Sequence, residues 1–364
     1  MPTIYFRTDG NKEIATGHLM RCLSIARACA TLQADIIFLV SDQTSQILLQ
    51  ERFLVPDEFP IRCLNSDYRK PDLELPALLG ILQGASSETS LLFLDSYFVT
   101  KTYLEELKAY ARTAYLDDIL AFDYPVDMII NYDITERPDC YQQAAHALLG
   151  ATYTPLRKQF SEVSYEVRPK VHHVLLSTGG TDTFSVAGML LEKIYDSSSA
   201  RTNDTNVTND TIETSTLQSF HYHIITSRLN EHFTELERFS ALHPNVHIHE
   251  QVQDMASLMC QCDLAVSAGG TTLYELCAVG VPAISFATAD NQLHAVHTFM
   301  TQAGLPYAGD VRISPDQTIG AILRFLSENG SYSKRKESSH TMRAFVDGKG
   351  SSRIAAALLS LISS

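Results

Sequence analysis

Polar residues that could activate a nucleophile follow the first apolar run of the chain. Segment 7–18 reads Arg-Thr-Asp-Gly-Asn-Lys-Glu-Ile-Ala-Thr-Gly-His, and a helical pattern begins after it. Gly17 permits a tight turn or a positive φ, and His18 falls in the first turn of the helix. The helix dipole disfavours an imidazolium there, so a neutral imidazole could accept a proton. We predict that His18 is a general base, the alternative being a surface histidine.

Further polar residues follow two later apolar runs of the same half. Asp95, Ser96 and Tyr97 come directly after the run 91–94, and Asp117-Asp118 follows the run 114–116. The ends of parallel strands meet at one edge of a sheet, so these residues are expected near His18. The paired carboxylates could orient the histidine or bind a metal, or they could simply be loop and cap residues.

Two glycine-rich turns of the second half indicate phosphate binding. Segment 177–182 reads Ser-Thr-Gly-Gly-Thr-Asp and segment 267–276 reads Ser-Ala-Gly-Gly-Thr-Thr-Leu-Tyr-Glu-Leu, each between a predicted strand and a predicted helix. Glycines let the backbone approach a phosphate, and the threonines could cap a helix whose free N–H groups point at the anion. One such turn alone is equally compatible with an ordinary loop. Two of them favour a phosphate site.

Side chains near these turns could bind the rest of a nucleotide-linked substrate. Glu275 lies in the first turn of a predicted helix, where it could accept ribose hydroxyls or complement the helix dipole. Asp290, Asn291 and Gln292 follow the apolar run 283–286. They could contact a ligand or cap a helix, and the two functions are compatible.

The elements that would position these residues are buried strands alternating with helices. Apolar runs of strand length that do not alternate with polar residues indicate parallel strands covered on both faces. Both halves are therefore predicted to be doubly wound α/β domains. The predicted strands are 4–6, 36–40, 91–94, 114–116, 128–130, 171–177, 221–226, 246–249, 264–267 and 283–286.

Changes in composition suggest the domain organisation. We expect an N-terminal domain at 1–155, a crossing within 150–170, a C-terminal domain at 165–345, and a final helix at 346–364 that packs on the first domain. Residues 196–219 are almost wholly Ser, Thr, Asn and Asp, which predicts a solvated surface insertion without periodic structure.

Composition and charge restrict the function. The formal net charge of -14 argues against binding a nucleic-acid backbone, which requires basic surface. The seven cysteines show no C-x-x-C spacing, which predicts free thiols. Without a signal-like start or an apolar span, we expect a cytoplasmic protein, and we predict neither a membrane partner nor a cofactor or metal. We expect a monomer.

Seven segments in order resemble the UDP-sugar hydrolases of the pseudaminic acid pathway, the PseG-type family, which is similar to the glycosyltransferase MurG. The resemblance covers nearly the whole chain. The segments lie at 7–23, 94–97, 149–157, 177–182, 267–275, 291–292 and 346–350.

The resemblance implies two Rossmann-like domains facing a cleft, the GT-B architecture, and cleavage of a UDP-linked 2,4-diacetamido-2,4,6-trideoxy sugar by water with inversion. His18 matches the catalytic histidine, and Tyr97 and Asn291 match residues facing the sugar. The remaining positions predicted to bind substrate are Arg7, Asp9, Gly17, Arg21, Asn131, Arg157, Thr178, Gly179, Gly180, Gly269, Gly270, Thr271, Thr272, Glu275 and Gln292.

One departure from the family concerns the loop before His18. Ala15 stands where the family usually has glycine, so this loop has fewer backbone states available to it. The alternatives to hydrolysis are transfer of the sugar to an acceptor, as in MurG, and a nucleotide-sugar-binding protein without catalysis.

Overall fold

A computed structural model describes residues 1–84, 88–133, 138–195, 214–328 and 330–363. The chain forms two compact units. The first comprises Met1–Lys158 together with Gly348–Ser364, and the second comprises Gln159–Asp347. All seven cysteines are free thiols, as predicted.

The first unit is a parallel sheet with helices on both faces. Its strand order is β3-β2-β1-β4-β5-β6-β7, and each neighbouring pair is parallel. The strands are β1 Thr3–Thr8, β2 Asp35–Val40, β3 Ile61–Cys63, β4 Ser90–Asp95, β5 Arg112–Leu116, β6 Met128–Asn131 and β7 His146–Leu149. The helices are α1 Gly17–Thr31, α2 Gln43–Arg52, α3 Leu75–Gln83 and α4 Lys101–Lys108, with 3-10 turns at Pro71–Glu74, Pro138–Cys140 and Ala151–Tyr153.

The second unit repeats this plan with a sheet of order β10-β9-β8-β11-β12-β13, again parallel throughout. Its strands are β8 His173–Ser177, β9 His221–Thr226, β10 Val246–Glu250, β11 Leu264–Ala268, β12 Ala283–Ala287 and β13 Tyr307–Asp310. Its helices are α5 Gln159–Glu162, α6 Val186–Tyr195, α7 Thr214–Gln218, α8 Phe233–Leu242, α9 Met255–Gln261, α10 Thr272–Val279, α11 Asp290–Gln302, α12 Pro315–Glu328 and α13 Tyr332–Phe345. The prediction of two doubly wound α/β domains is confirmed.

The last helix of the chain, α14 Gly350–Ser363, completes the core of the first unit. Ile354 and Leu358 are fully buried in the cluster that also contains Leu19 and Ile25 of α1. The start of α14 lies so close to the backbone of Thr154 that a side chain at Gly350 would collide with it. Burial of its apolar stripe therefore fixes α14 against the N-terminal part of the chain.

The predicted polar insertion at 196–219 needs a correction at its end. Residues 196–213 lie outside the described residues, but α7 forms at Thr214–Gln218. Leu217 is fully buried in the core of the second unit. The polar residues around it in the sequence gave no indication of this buried position. Within the described ranges, no helix is both long and apolar enough to cross a membrane.

Candidate functional site

The N-terminal site lies where β1 and β4 end, at the point where the strand order of the first sheet reverses. His18 is in the first turn of α1 and is 4% exposed, and Asp95 is the last residue of β4 and is 1% exposed. The His18 Nδ1 atom lies 2.6 Å from Asp95 Oδ1. The crevice at a switch point is the usual ligand site of an open parallel sheet, and here it contains a His-Asp pair.

The contacts of Asp95 define the tautomer of His18. The Arg21 guanidinium donates from Nε to Asp95 Oδ2 and from Nη2 to Asp95 Oδ1, both at 2.6 Å. Burial alone would raise the pKa of Asp95, but the charge of Arg21 and the hydrogen bonds from Arg21 and His18 outweigh it, and the pKa lies below its ordinary value. His18 Nδ1 also lies 2.9 Å from Arg21 Nη2, but its contact with Asp95 is shorter, and an ionised carboxylate only accepts, so we assign the Nδ1 proton to the bond with Asp95. The lone pair of the neutral ring is then on Nε2.

Tyr97 covers this pair from the adjoining loop. Its ring meets the His18 imidazole edge-on, with the ring centroids 4.4 Å apart, and its hydroxyl donates to Asp118 Oδ2 at 3.2 Å. Asp118 also accepts from Arg21 Nη1 at 2.7 Å. Burial, assisted by the charge of Asp118, raises the pKa of Tyr97 to about 12, so its hydroxyl stays protonated. The recess beside His18 is so narrow that it leaves no room for a water molecule.

Arg7 and Asp9, both predicted to bind substrate, are buried in an ion-pair network. Arg7 donates to both carboxylate oxygens of Glu74 at 2.7 Å and also pairs with Asp9. Asp9 accepts from the backbone and hydroxyl of Ser41. The network ties the end of β1 to the end of β2, so both residues position the loop before His18, and their contact with substrate stays a prediction. Sequence reasoning missed Glu74, which no motif marks.

The loop before His18 has its unusual backbone at Ala15 rather than at Gly17. Ala15 adopts φ +57°, whereas Gly17 starts α1 without a positive φ. Of the two possibilities for Gly17, a tight turn or a positive φ, the structure does not show the positive φ. Ala15 holds the left-handed conformation at a cost of about 1–2 kcal/mol. Its carbonyl accepts from Asn11, whose side chain accepts from the amides of Glu13 and Ile14 and so fixes the turn.

Three other predicted residues of the first unit, Asp117, Asn131 and Arg157, lie outside the group of side chains around His18. Asp117 accepts from Tyr124, Tyr141 and the backbone of the following loop, so the loop-and-cap alternative holds for it. Asn131 donates to the same Tyr141 hydroxyl and is 3% exposed. Among the described residues, no three ligand-type side chains converge as a metal site. Arg157 is half-buried at the end of the first unit, and its contact with substrate stays a prediction.

The second unit contains a cavity of about 550 Å³ at the switch point between β8 and β11. Both glycine-rich turns contribute to it, as do the first turn of α10 and residues beside α11. The lining residues are Ser177, Thr178, Gly179, Thr181, Asp182, Thr183, Phe184, Ala268, Gly270, Thr271, Thr272, Thr288 and Gln292. Its size is that of a small-ligand pocket.

The four glycines of the two turns do different things. Gly179 adopts φ +96° and lines the cavity, whereas the carbonyl of Gly180 accepts from Ser227. A side chain at Gly269 would collide with Val296 of α11, so this glycine permits helix packing. Nothing would oppose a side chain at Gly270, which lines the cavity. Only Gly179 and Gly270 thus fit the predicted close approach of backbone to ligand.

The start of α10 differs in detail from the prediction. The helix begins at Thr272, and Thr271 makes no side-chain hydrogen bond to its amides, so the expected threonine cap is wrong. The amides of the first turn are consequently not capped by that hydroxyl. Glu275 lies in the first turn but outside the cavity lining, so its contact with ribose stays a prediction.

Asn291 and Gln292 begin α11 in different environments. The residue preceding the helix is Ala289, so the alternative of a cap by Asp290 or Asn291 is also wrong. Gln292 lines the cavity, and its side-chain carbonyl accepts from the amide of Thr288 at 2.9 Å. Asn291 is exposed, and its contact with the sugar stays a prediction.

These features define a class of protein. Residues 175–347 match the glycosyltransferase family 28 C-terminal domain. The chain has the GT-B fold: MurG of Acinetobacter baumannii superposes with a TM-score of 0.64 at 10% identity, covering 99% of this chain and 100% of that chain. Arabidopsis thaliana UGT89C1, complexed with UDP-L-rhamnose, gives 0.64 at 11% identity, covering 100% and 99%.

Two curated proteins are similar in sequence. The spore coat polysaccharide biosynthesis protein SpsG of Bacillus subtilis is 24% identical over 365 residues, which are 97% of this chain and 96% of that protein. The UDP-N-acetylglucosamine–N-acetylmuramyl-(pentapeptide) pyrophosphoryl-undecaprenol N-acetylglucosamine transferase of an Exiguobacterium species is 41% identical over 66 residues, 17% of this chain and 18% of that protein. The chain thus has the GT-B fold, and its residues 175–347 match a C-terminal domain of glycosyltransferases. Neither name specifies hydrolysis, which stays a prediction.

Proposed function

We propose that this protein breaks the bond between UDP and the anomeric carbon of a sugar, with His18 as the general base. The observation that carries the proposal is the buried contact of 2.6 Å between His18 and Asp95 at the end of β4. It holds the imidazole in one tautomer and leaves the Nε2 lone pair to take a proton from an attacking oxygen. The carboxylate stabilises the imidazolium that forms.

The cavity of the second unit is the proposed site of the UDP diphosphate. Gly179, Gly270 and the first turn of α10 present backbone amides at the ends of β8 and β11. When the anomeric bond breaks, its electron pair goes to the β-phosphate oxygen, and amide dipoles at a helix start stabilise that charge. Tyr97 and Asn291 are proposed to hold the sugar or the nucleophile.

The nucleophile favoured by the comparisons is an acceptor hydroxyl. The matching C-terminal domain and the similar GT-B structures are those of glycosyltransferases. In this reaction the acceptor oxygen bonds to the anomeric carbon, UDP departs, and the hydroxyl proton goes to His18 Nε2. A transferase is therefore the first candidate.

Water is the second candidate, favoured by the burial of the base. His18 is 4% exposed and Tyr97 lies across it, so a bulky acceptor is hindered more than water. The resemblance of the sequence motifs to PseG-type hydrolases supports the same reaction, with inversion and a UDP-linked 2,4-diacetamido-2,4,6-trideoxy sugar as substrate.

Incubation of the full chain with a panel of UDP-sugars in water enriched in heavy oxygen separates the two candidates. Hydrolysis releases UDP without an acceptor and places the label in the free sugar. Transfer releases UDP only when an acceptor is added. Label found in UDP instead would mean attack at phosphorus and would overturn the proposal.

Variants test the base itself. His18→Asn is expected to lower the rate at least about a hundredfold while UDP binding by calorimetry is retained. The matched control is His146→Asn, because His146 is an exposed histidine on β7 of the same unit. An unchanged rate in His18→Asn would remove His18 from the mechanism.

A further inference from the structure

Five histidines form an array on one face of the second sheet, at β8, β9 and β10. His173 begins β8, and each of the next two strands carries a His-x-His pair, His221 with His223 and His247 with His249. Alternate residues of a strand face the same side. The parallel register sets His173 opposite His221 and His223 opposite His247, so the five imidazoles adjoin.

The rings meet through their nitrogen atoms. His173 Nδ1 lies 3.0 Å from His223 Nε2, and His223 Nδ1 lies 3.0 Å from His249 Nε2. A further pair, His221 Nδ1 and His247 Nε2, is 3.1 Å apart. His223 is thus the ring that contacts two others through both of its nitrogens.

We propose that this array binds a divalent transition-metal ion of the Zn²⁺ and Ni²⁺ class, with His223 and one of its two neighbouring imidazoles as ligands. Imidazole nitrogen binds such ions at about 2.0–2.1 Å, so two nitrogens at an angle of about 90–110° lie about 2.9–3.4 Å apart. The observed separations of 3.0 Å fall in this interval. When the ion binds, the hydrogen bond between the two rings breaks, and the proton of that bond moves to the other nitrogen of its own ring, so both ligands remain neutral.

The charged groups that act on the array are Asp263 and Arg168, next to His173. They pair with each other at 2.7 Å, so they nearly balance at the edge of the array. Each nitrogen of His223 has an imidazole nitrogen of another histidine at 3.0 Å, so the geometry offers the ion two possible positions.

The described residues contain no site of three converging ligands, so water completes the coordination sphere. Four of the five rings are half-buried and His223 is 8% exposed, which leaves the ion a path from solvent. The array is separate from the lining of the 550 Å³ cavity. Binding here consequently does not depend on the proposed reaction.

The test is calorimetric titration of the full chain, prepared without a histidine tag, with ZnCl₂ and NiCl₂ at pH 7.5. We expect saturable binding of both ions and none of MgCl₂, because Mg²⁺ prefers oxygen ligands. Zn²⁺ should also raise the thermal midpoint of unfolding.

His223→Asn is expected to weaken Zn²⁺ binding at least about tenfold. His243→Asn is the matched control, because His243 stacks on Tyr195 and Phe239 outside the array. Far-UV circular dichroism checks that His223→Asn folds, and His223→Gln replaces it otherwise. Equal Zn²⁺ affinity in wild type and in the folded His223 variant, or no saturable binding in wild type, would overturn the proposal.

Discussion

His18 and Asp95 are separated by 77 residues in the sequence yet their side chains lie 2.6 Å apart. His18 lies in the helix that follows β1, and Asp95 is the last residue of β4. The two residues come together because β1 and β4 are neighbours in the sheet. The arrangement explains why a histidine with little exposed surface could still serve as a base. The carboxylate of Asp95 and the Arg21 guanidinium that balances its charge are both fixed by hydrogen bonds before any substrate arrives.

The contribution of Asp95 is testable by a single substitution. Asp95→Asn removes the charge that stabilises an imidazolium and allows the wrong tautomer, so kcat should fall about 10²–10⁴-fold. KM for the UDP-sugar should change little. Steady-state kinetics with the substrate found in the panel measures both.

The double variant His18→Asn with Asp95→Asn is the control for this prediction. Residues that act as one unit are not additive, so the double variant should be about as slow as His18→Asn alone. Thermal unfolding must accompany the kinetics, because Arg21 loses a buried partner. A folded Asp95→Asn variant with nearly wild-type kcat would contradict the assignment.

Individual site residues could be predicted from the sequence where they belong to a local motif. They could not be predicted where only the fold brings them next to their partners. The helix-start position of His18 could be predicted from Gly17 and the apolar pattern. Glu74 could not, because its partner Arg7 is 67 residues away and buried charge pairing leaves no local pattern. The strain at Ala15 was indicated only by comparison with a family glycine.

At the scale of elements, strand ends determine where chemistry can occur. In each unit the strand order reverses between two central strands, which are β1 and β4 in the first sheet and β8 and β11 in the second. The polar residues of the two candidate sites follow these strands. The loops that carry these residues start from buried strands, such as β4 and β11. A rigid framework under the loops is what a preorganised site requires.

Substitutions at the neighbouring glycines Gly269 and Gly270 test helix packing and ligand contact separately. Gly269→Ala should lower the free energy of unfolding by about 1–3 kcal/mol, because the new methyl group meets Val296 and Gln292. Gly270→Ala meets nothing and should leave stability unchanged, but it should weaken UDP binding if phosphate approaches this backbone. Urea unfolding and a UDP titration measure the two effects. Tighter or equal UDP binding by a folded Gly270→Ala protein would count against the phosphate site.

The three strands that the sequence analysis missed, β3, β7 and β13, were missed for the same physical reason. β3 and β7 are the two edges of the first sheet, and β13 is one edge of the second. Edge strands are covered less, so they need no continuous apolar run, and β7 has two exposed residues among its four. Central strands such as β4, buried along their whole length, could be predicted from apolarity alone.

At the scale of the whole molecule, the first unit is discontinuous in sequence. Its core includes Ile354, Ala355 and Leu358 of α14, although the intervening residues Gln159–Asp347 form the other unit. The position of α14 is expected to contribute much of the stability of the first unit, because burying each large aliphatic side chain contributes about 1.5–3 kcal/mol.

A substitution in α14 measures this contribution. Leu358→Ala should lower the free energy of unfolding by about 2–5 kcal/mol, because the side chain is fully buried against the first sheet. Ser360→Ala, on the exposed side of the same helix, should change it by less than about 0.5 kcal/mol. Urea denaturation compares the two, and similar values for both variants would show that α14 is not part of this core.

Because α14 belongs to the first unit but is synthesised last, it also affects the order in which the two units fold during translation. Residues Gln159–Asp347 are contiguous and can fold as soon as they have been translated, whereas the N-terminal sheet lacks part of its core until the final helix appears. The half of the protein synthesised first is therefore the half that matures last. Until then its unfinished apolar face is available to a chaperone.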